Sequence, residues 1–186
     1  MMVNFELNIL NAIQNMRSTP LDKFMVTISS AGNLSLIWIA FIFIFLAAKE
    51  LKKQGKIMVL AFVLNILLVN ILVKNLVARP RPYDVANFTN LLVHKLSDNS
   101  FPSGHTSYAF TFATIVTLLN KNKALKIFTN VLAALIAFSR LYLYVHFPTD
   151  VLAGAVFGII IGILSIKIYN SKKYREIKTK YNLHRA

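Results

Sequence analysis

The chain has 186 residues, of which 56% are hydrophobic, and a mean hydropathy of +0.56, which excludes an ordinary soluble domain with its apolar share of about 45–50%. The net charge of +14 does not indicate nucleic-acid binding, because the basic residues lie mostly at the ends of apolar blocks and are not interleaved with aromatic residues. Zero cysteines exclude disulfides, thiolate metal sites and cysteine nucleophiles. We therefore predict one membrane-embedded domain over residues 1–186.

Residues 1–20 predict a short amphipathic helix at the membrane surface. Apolar side chains recur at helical spacing on one face, whereas Leu7 and Leu10 fall outside that stripe. The members of the stripe are Phe5, Ile9, Ala12, Ile13 and Met16. A helix that packs on a soluble face of the protein would show a similar pattern, so both interpretations stay open here.

The apolar blocks after residue 20 predict a bundle of transmembrane helices. Residues 21–30 and 34–48, separated by Gly32 and Asn33, predict either one interrupted crossing or two partial ones. Four further blocks approach the length that crosses about 30 Å of hydrocarbon at roughly 1.5 Å per residue. They are residues 57–78, 106–120, 124–145 and 151–169. The prediction is an all-α, polytopic bundle of five to six transmembrane helices behind the N-terminal helix.

The placement of lysine and arginine predicts the orientation of this bundle. Basic residues crowd residues 49–56, residues 121–126 and the C-terminal tail, residues 171–186. By the positive-inside rule these three segments are expected in the cytoplasm. Residues 79–105 and the bend at residues 146–150 are then expected together on the extracytoplasmic face. We expect an integral protein of a bacterial cell membrane, a source indicated only by the compact chain and its Lys-, Asn- and Ile-rich composition.

Three segments carry ionisable residues at fixed spacings. Charged groups at membrane depth are costly and usually functional, although a lone lysine such as Lys74 often only extends to the interface. The segments are Lys74-x6-Arg81-Pro82, Pro102-Ser103-Gly104-His105 and Ser139-Arg140-x5-His146-x3-Asp150. Because the expected topology brings all three to one face, we predict that they form a single site.

The three segments resemble the signature motifs of the type 2 phosphatidic acid phosphatase family, whose phosphate site is similar to that of vanadium haloperoxidases. The resemblance runs from Lys74 to Asp150 and departs from the family pattern at no motif position. It implies six helices and a membrane phosphatase that acts on lipid phosphates or diphosphates. It also implies that His146 attacks phosphorus to give a phosphohistidine, and that His105 protonates the leaving oxygen and later activates water.

The other motif residues fit the binding of a phosphate group. Lys74, Arg81 and Arg140 supply three cations, and the planar fork of arginine suits phosphate oxygens. Ser103 is expected to cap the helix that begins beside it and to direct backbone N–H groups towards the phosphate. Gly104 is expected to let the phosphate approach closely.

Asp150 is expected to orient His146 and to stabilise its protonated form, as the acid does in a Ser-His-Asp triad. Pro148 lies between these two residues, so they are not expected on successive turns of one regular helix. We predict a kink or a new helix there, with Thr149 as a candidate cap.

Other residues expected near the same face belong to none of the three motifs. Its aromatic residues predict an interfacial belt, with a lipid-tail entrance as the alternative. They are Tyr83, Tyr108, Tyr142, Tyr144 and Phe147. Arg79 stands beside a motif without being one of its fixed positions, and His94 matches no motif.

We expect no metal and no other cofactor, because a cluster of cations would repel a metal ion that two histidines and an aspartate could otherwise bind.

Undecaprenyl diphosphate is the leading expected substrate. Phosphatidylglycerol phosphate, phosphatidic acid and lipid A phosphates stay open, because the motifs contact the phosphate and not the tail. A non-catalytic binder or transporter of anionic lipid is disfavoured by the combination of His105, His146 and Asp150. The expected partners are this substrate and membrane lipids; nucleic acid is not expected, and no protein partner can be inferred.

Overall fold

The computed structural model describes residues 2–31 and 36–171, and within those ranges every regular element is a helix. A π-helical segment, Asn65–Val73, joins α4 to α5. The helices are α1 (Met2–Gln14), α2 (Thr19–Ala31), α3 (Leu36–Ala47), α4 (Lys52–Leu64), α5 (Lys74–Val77), α6 (Pro82–Val85), α7 (Gly104–Leu119), α8 (Lys123–Tyr142) and α9 (Pro148–Asn170). The all-α class predicted from the apolar blocks is confirmed.

Among the described residues, three helical stretches are long and apolar enough to cross a membrane, as judged by length and composition. They are Lys52–Val85, Lys123–Tyr142 and Pro148–Asn170. Large apolar side chains such as Phe43, Leu67 and Leu152 are exposed on the outside of the bundle. Such surfaces are costly in water and suit hydrocarbon. The prediction of a polytopic membrane bundle is confirmed.

The other helices of the bundle are shorter than a full crossing. Helices α2, α3 and α7 contain 13, 12 and 16 residues, against the roughly 20 that span the hydrocarbon core. With them, the described part of the chain has the six bundle helices at the upper end of the prediction. The break expected at Gly32 and Asn33 lies outside the described residues, as does the basic tail, residues 172–186.

Helices α7 and α9 lie side by side along a row of glycines. Gly154 packs on the backbone oxygen of Ser103, and Gly158 packs on that of Ser107. A Cβ atom at Gly158 would lie 2.5 Å from the Ser107 oxygen, closer than packed atoms tolerate. One turn further along, Gly162 faces Thr114. The two helices therefore run parallel, and small residues at every fourth position let their backbones approach closely.

The connections between helices are sorted to opposite ends of the bundle. At one end, Gln54 Nε2 donates to the Leu119 backbone oxygen at 3.3 Å, and Lys49 and Lys121 line the same cavity. At the other end, Ser103 N donates to the Asp150 backbone oxygen at 3.0 Å. The lysine-rich connections thus meet at one end, and the motif-bearing segments meet at the other, which we call the site end.

Helix α1 lies at the site end and packs on α8 and α9. Phe5 and Met16 of the predicted apolar stripe are exposed, while Glu6 and Leu10 are buried against the protein. The predicted helix is present, and its protein-facing side is the one that includes Leu10.

The aromatic residues at the site end do not form an interfacial belt. Tyr83, Tyr142, Tyr144 and Phe147 are buried in a small apolar core with Leu10. Polar atoms of this core bind α1: Tyr144 Oη donates to Asn11 Oδ1 at 2.8 Å, and Gln14 Nε2 donates to the Tyr142 backbone oxygen at 2.9 Å. The belt interpretation is wrong for these four residues because α1, α2 and the residue 88–96 segment cover them.

Candidate active site

One cavity of about 570 Å³ at the site end brings together most of the residues predicted from the motifs. The motif residues that line it are Lys74, Arg81, Gly104, His105, Arg140 and His146. Ser103 and Asp150 lie behind this lining and are fully buried. Within the described ranges, no group of three His, Asp or Glu side chains is placed to hold a metal ion.

Three buried cations reach the cavity from three different elements. Lys74 begins α5 directly after the π-helical segment, Arg81 precedes α6, and Arg140 lies in the last turn of α8. Their exposed fractions are 6%, 3% and 2%. Buried like charges repel each other strongly when no anion is present. The lining therefore favours an anionic group in the cavity.

Asp98, which no motif includes, is the anion that faces two of these cations. Its carboxylate pairs with Lys74 Nζ and accepts from Arg81 Nη2 at 2.6 Å. Burial alone would raise the pKa of Asp98, but the hydrogen bond and charge of Lys74 together with Arg81 lower it to about 2. The side chain is still 51% exposed. Asp98 is therefore an ionised counter-ion at the cavity mouth, with room to move away.

The backbone fixes Arg81, whereas Arg140 is less fully bound. Arg81 Nη1 donates to the Val145 backbone oxygen at 2.7 Å, and Arg81 Nε donates to that of Asp98 at 2.9 Å. Arg140 Nη1 donates to Ser29 Oγ of α2. In the described part of the chain, Arg140 Nε has no hydrogen-bond partner. An unmet buried donor of this kind is costly, and an anion in the adjoining cavity would satisfy it.

His146 lies in the connection between α8 and α9 with its two ring nitrogens on opposite sides. Nε2 lies 3.4 Å from Arg81 Nη1 on the cavity side. Nδ1 lies 3.5 Å from Ser100 Oγ and 3.7 Å from Asp150 Oδ2. Burial, with the charges of Arg81 and Arg140, holds the pKa of His146 well below its usual value. The lowered pKa favours the neutral imidazole near pH 7, and the tautomer with its proton on Nδ1, the side of Asp150, would leave the Nε2 lone pair for attack.

Helix α9 begins where the proline predicts a new helix. Phe147 is its N-cap and Pro148 its first residue, which suits a residue without a backbone N–H. Asp150 Oδ2 accepts from Phe147 N at 2.8 Å and from Ser100 Oγ at 2.5 Å. Thr149 is therefore not the cap that the sequence indicated, because its hydroxyl binds a side chain of α1 instead.

Helix α7 begins at the cavity wall, as the motif predicts. Ser103 is its N-cap, and Ser103 Oγ accepts from Thr106 N at 3.4 Å. A Cβ atom at Gly104 would lie 2.8 Å from Asn70 Oδ1 of the π-helical segment. A larger residue at this position would therefore displace the Asn70 side chain, which is hydrogen-bonded to Tyr108 beside the cavity.

The geometry of the site agrees with comparisons of the whole chain with known proteins. The model of the PAP2 superfamily matches residues 54–174, which include all three motif segments. The chain belongs to the PAP2 superfamily. It is 32% identical to an undecaprenyl-diphosphatase from Sulfolobus acidocaldarius over 176 residues, which are 95% of this chain and 84% of that protein. The predicted family resemblance is confirmed.

Two crystal structures of PAP2 relatives share the fold. Aquifex aeolicus LpxE superposes with a TM-score of 0.77 at 35% identity, over 87% of this chain and 94% of that one. A transmembrane PAP2-type phosphatidylglycerolphosphate phosphatase from Bacillus subtilis gives a TM-score of 0.70 at 30% identity, over 91% of this chain and 87% of that one. The chain is accordingly a membrane-embedded PAP2 phosphatase that acts on lipid phosphates.

Several residues at or behind this cavity belong to no motif. Asn70 and Tyr108 line the cavity and are hydrogen-bonded at 3.2 Å, yet each lies inside an apolar block, and the sequence indicated Tyr108 only as an aromatic of a belt or a lipid-tail entrance. Asp98 and Ser100 lie in the irregular segment before Pro102. The nearest usable signal was the position of Ser100 two residues before the second motif. Arg79 was noticed beside the first motif, but its contact with Asp150 at 2.7 Å appears only in the fold.

Proposed function

We propose that this PAP2 phosphatase hydrolyses undecaprenyl diphosphate to undecaprenyl phosphate and inorganic phosphate, with His146 as the nucleophile. The observation that carries the nucleophile assignment is the orientation of His146, whose Nε2 faces a cavity lined by three buried cations while Nδ1 faces Asp150. The similarity to the Sulfolobus undecaprenyl-diphosphatase supports the choice of substrate.

In the first step, His146 Nε2 forms a bond to the terminal phosphorus, and the bond from phosphorus to the bridging oxygen breaks. His105 enters this step as the imidazolium, gives its proton to that leaving oxygen and becomes neutral. Lys74, Arg81 and Arg140 bind the equatorial oxygens, with the start of α7 at Ser103 and Gly104 beside them, and stabilise the charge that spreads there in the transition state.

In the second step, His105 takes a proton from water, and the water oxygen attacks the phosphohistidine. The bond from phosphorus to Nε2 breaks, inorganic phosphate leaves, and His146 is regenerated. Asp150 stabilises the positive charge that the imidazole carries in the intermediate. The protons balance over the two steps, because the proton lost to the leaving group is recovered from water.

The test of the nucleophile is His146→Ala in detergent-purified protein. Turnover is expected to fall by about 10³-fold or more, since the covalent intermediate cannot form, while the thermal unfolding temperature stays near that of the wild type. The matched control is His94→Ala, which changes an exposed histidine between α6 and α7. Near-normal phosphate release by His146→Ala would remove His146 as the nucleophile.

A panel of lipids tests the substrate. Undecaprenyl diphosphate is expected to give the highest kcat/KM when compared with phosphatidylglycerol phosphate, phosphatidic acid and a lipid A phosphate. The panel is run with and without a chelator, because the cation-lined cavity is proposed to need no metal. A higher kcat/KM for a glycerophospholipid phosphate would reassign the substrate, and loss of activity in the chelator would contradict the metal-free mechanism.

A non-catalytic role in binding or transporting anionic lipid is the alternative from another class. The same cations would bind the lipid phosphate in that role, but binding or transport does not require a buried nucleophile beside a carboxylate. Tight binding of lipid phosphate without phosphate release on any member of the panel would favour this alternative.

A further inference from the structure

A charged cluster outside the cavity lies directly behind Asp150. Arg79 Nη1 donates to Asp150 Oδ1 at 2.7 Å and to Thr149 Oγ1 at 2.7 Å. Arg79 Nη2 donates to Glu6 Oε2 at 2.5 Å. The same guanidinium lies 3.8 Å from the centre of the Phe147 ring. One arginine therefore connects helix α1 to the start of α9.

Glu6 is buried at this junction, with only 1% of its surface exposed. Its second oxygen, Oε1, accepts from Thr149 N at 3.1 Å and from Thr149 Oγ1 at 2.6 Å. A buried carboxylate is tolerated only when it is paired and hydrogen-bonded. Both oxygens of Glu6 are used in this way, and all their partners belong to the segment around Arg79 or to the start of α9.

The two oxygens of Asp150 have separate partners. Oδ1 is held by Arg79, whereas Oδ2 accepts from Ser100 Oγ and lies on the side of His146 Nδ1. Without Arg79, nothing described in the structure would hold Oδ1. Oδ2 would keep its hydrogen bonds from Phe147 N and Ser100 Oγ, so the carboxylate would stay beside His146 but could turn about Oδ2. Without Glu6, Arg79 would lose its second anchor and would leave an unbalanced positive charge behind Asp150.

We propose that Glu6 and Arg79 are positioning residues for the His146–Asp150 pair. Arg79 fixes the carboxylate of Asp150, and Glu6 fixes Arg79 and cancels its charge. Neither side chain lines the cavity, so they act through Asp150 and not on the substrate. The proposal rests on the proposed function, in which His146 is the nucleophile and carries positive charge in the intermediate.

The pH dependence of kcat/KM separates this role from simple packing. Attack requires neutral His146, so kcat/KM falls at low pH, where His146 becomes protonated. This acid limb of the pH profile is expected below pH 6.5 in the wild type, since 6.5 is the ordinary pKa of histidine. Arg79 and Glu6 bring opposite charges to the rear of Asp150. The charged and titratable groups that face His146 more directly are Lys74, Arg81, Asp98, His105, Arg140 and Asp150, and all of them stay unchanged in the test.

Glu6→Gln and Arg79→Gln are expected to move the acid limb in opposite directions. Glu6→Gln removes a negative charge and shifts the limb to lower pH, and Arg79→Gln removes a positive charge and shifts it to higher pH, each by about half a pH unit. Both variants are expected to lower kcat by about 10- to 100-fold because Asp150 is less well held. KM is expected to stay within about threefold of wild type. No shift in either variant, or shifts in the same direction, would overturn the proposal.

Two control variants separate charge from packing. Asp84→Asn removes an exposed carboxylate of the site end that pairs with Lys95, and wild-type kinetics are expected. Leu10→Ala loosens the packing of α1 without a change of charge, so the limb is expected to stay in place whatever happens to kcat. A limb that moves as far in Leu10→Ala as in Glu6→Gln would reduce Glu6 to a packing residue and overturn the proposal.

Arg79→Lys keeps the charge and removes the fork, and it remains informative if Arg79→Gln does not fold. The limb is expected to stay in its wild-type place while kcat falls about tenfold, since lysine cannot bind two carboxylates in parallel. Wild-type kcat in Arg79→Lys would contradict the positioning role. A wild-type protein without hydrolytic activity would instead overturn the proposed function itself, and an active wild type with unaffected Glu6 and Arg79 variants would overturn only this inference.

Discussion

At the scale of single residues, fixed spacing is a good guide to what touches the phosphate cavity and a poor guide to what supports it. Lys74, Arg81 and Arg140 were predicted from motif spacing, the expected topology and the family resemblance, and the fold brings all three to one cavity. Glu6 and Arg79, by contrast, are separated by 73 residues and meet only because α1 packs at the site end. Contacts of this kind depend on tertiary packing, which no local pattern contains.

Asp98 gives a prediction at the same scale, because in the proposed mechanism a phosphate competes with its carboxylate for Lys74 and Arg81. Asp98→Asn is expected to lower the inhibition constant of inorganic phosphate by about tenfold, which corresponds to about 1.4 kcal/mol. The quantity to measure is product inhibition of lipid phosphate hydrolysis, with Asp84→Asn as the matched control. An unchanged or higher inhibition constant would contradict the competition.

The charge of Asp98 also determines how this competition depends on pH. A carboxylate whose pKa is lowered on folding adds stability that is present above its unfolded pKa of about 3.9 and lost as the pH falls through its folded value of about 2. Asp98 therefore stays ionised over the whole range in which the enzyme can be assayed. The competition is expected to be constant there, and any pH dependence of phosphate binding must come from other groups.

At the scale of elements, apolar length predicted where the helices lie, and proline and serine predicted where they begin. Pro148 marks the start of α9 and Ser103 caps α7, as expected. The sequence did not indicate which helices pack together. Gly154, Gly158 and Gly162 lie four residues apart inside an apolar block, and only the fold identifies α7 as the partner of that row.

Gly158→Ala tests the contact between α7 and α9. The added Cβ would lie 2.5 Å from the Ser107 backbone oxygen and 3.0 Å from Thr111 N, so the helices must separate. A loss of stability of about 1–3 kcal/mol is expected, as in other overpacked cores, and is measured by thermal unfolding in detergent. Activity should fall with it, because α7 carries His105 and α9 carries Asp150.

Ile160→Ala is the matched control on the same helix, since Ile160 is exposed on the outer face of α9. Its unfolding temperature in detergent is expected to stay close to that of the wild type. A Gly158→Ala protein as stable as this control would show that the glycine row does not limit the approach of the two helices.

At the scale of the whole molecule, the fold separates the lysine-rich connections from the site end, as the charge pattern predicted. Which end faces the cytoplasm is a further prediction from the positive-inside rule. The absence of cysteine from the sequence makes a direct test possible. Thr89→Cys places a thiol between α6 and α7 at the site end, and Lys121→Cys places one between α7 and α8; both positions are exposed.

A membrane-impermeant maleimide applied to intact cells is expected to label Thr89→Cys and to leave Lys121→Cys unlabelled until the cells are opened. Both variants should retain phosphatase activity, because neither side chain lines the site cavity. The reverse labelling pattern would place the site on the cytoplasmic face and would require a substrate from the inner leaflet.

The parallel course of α7 and α9 also gives the site two helix N-termini, each with a partial positive charge. At the start of α9, Asp150 accepts from Phe147 N and Glu6 accepts from Thr149 N, so this terminus is bound by the protein's own carboxylates. At the start of α7, Gly104 and His105 form part of the cavity wall. The end of α9 thus holds two permanent internal carboxylates close to His146, and the end of α7 faces the cavity in which we propose that the substrate phosphate binds. An antiparallel pair would have turned the negative end of one helix towards the phosphate.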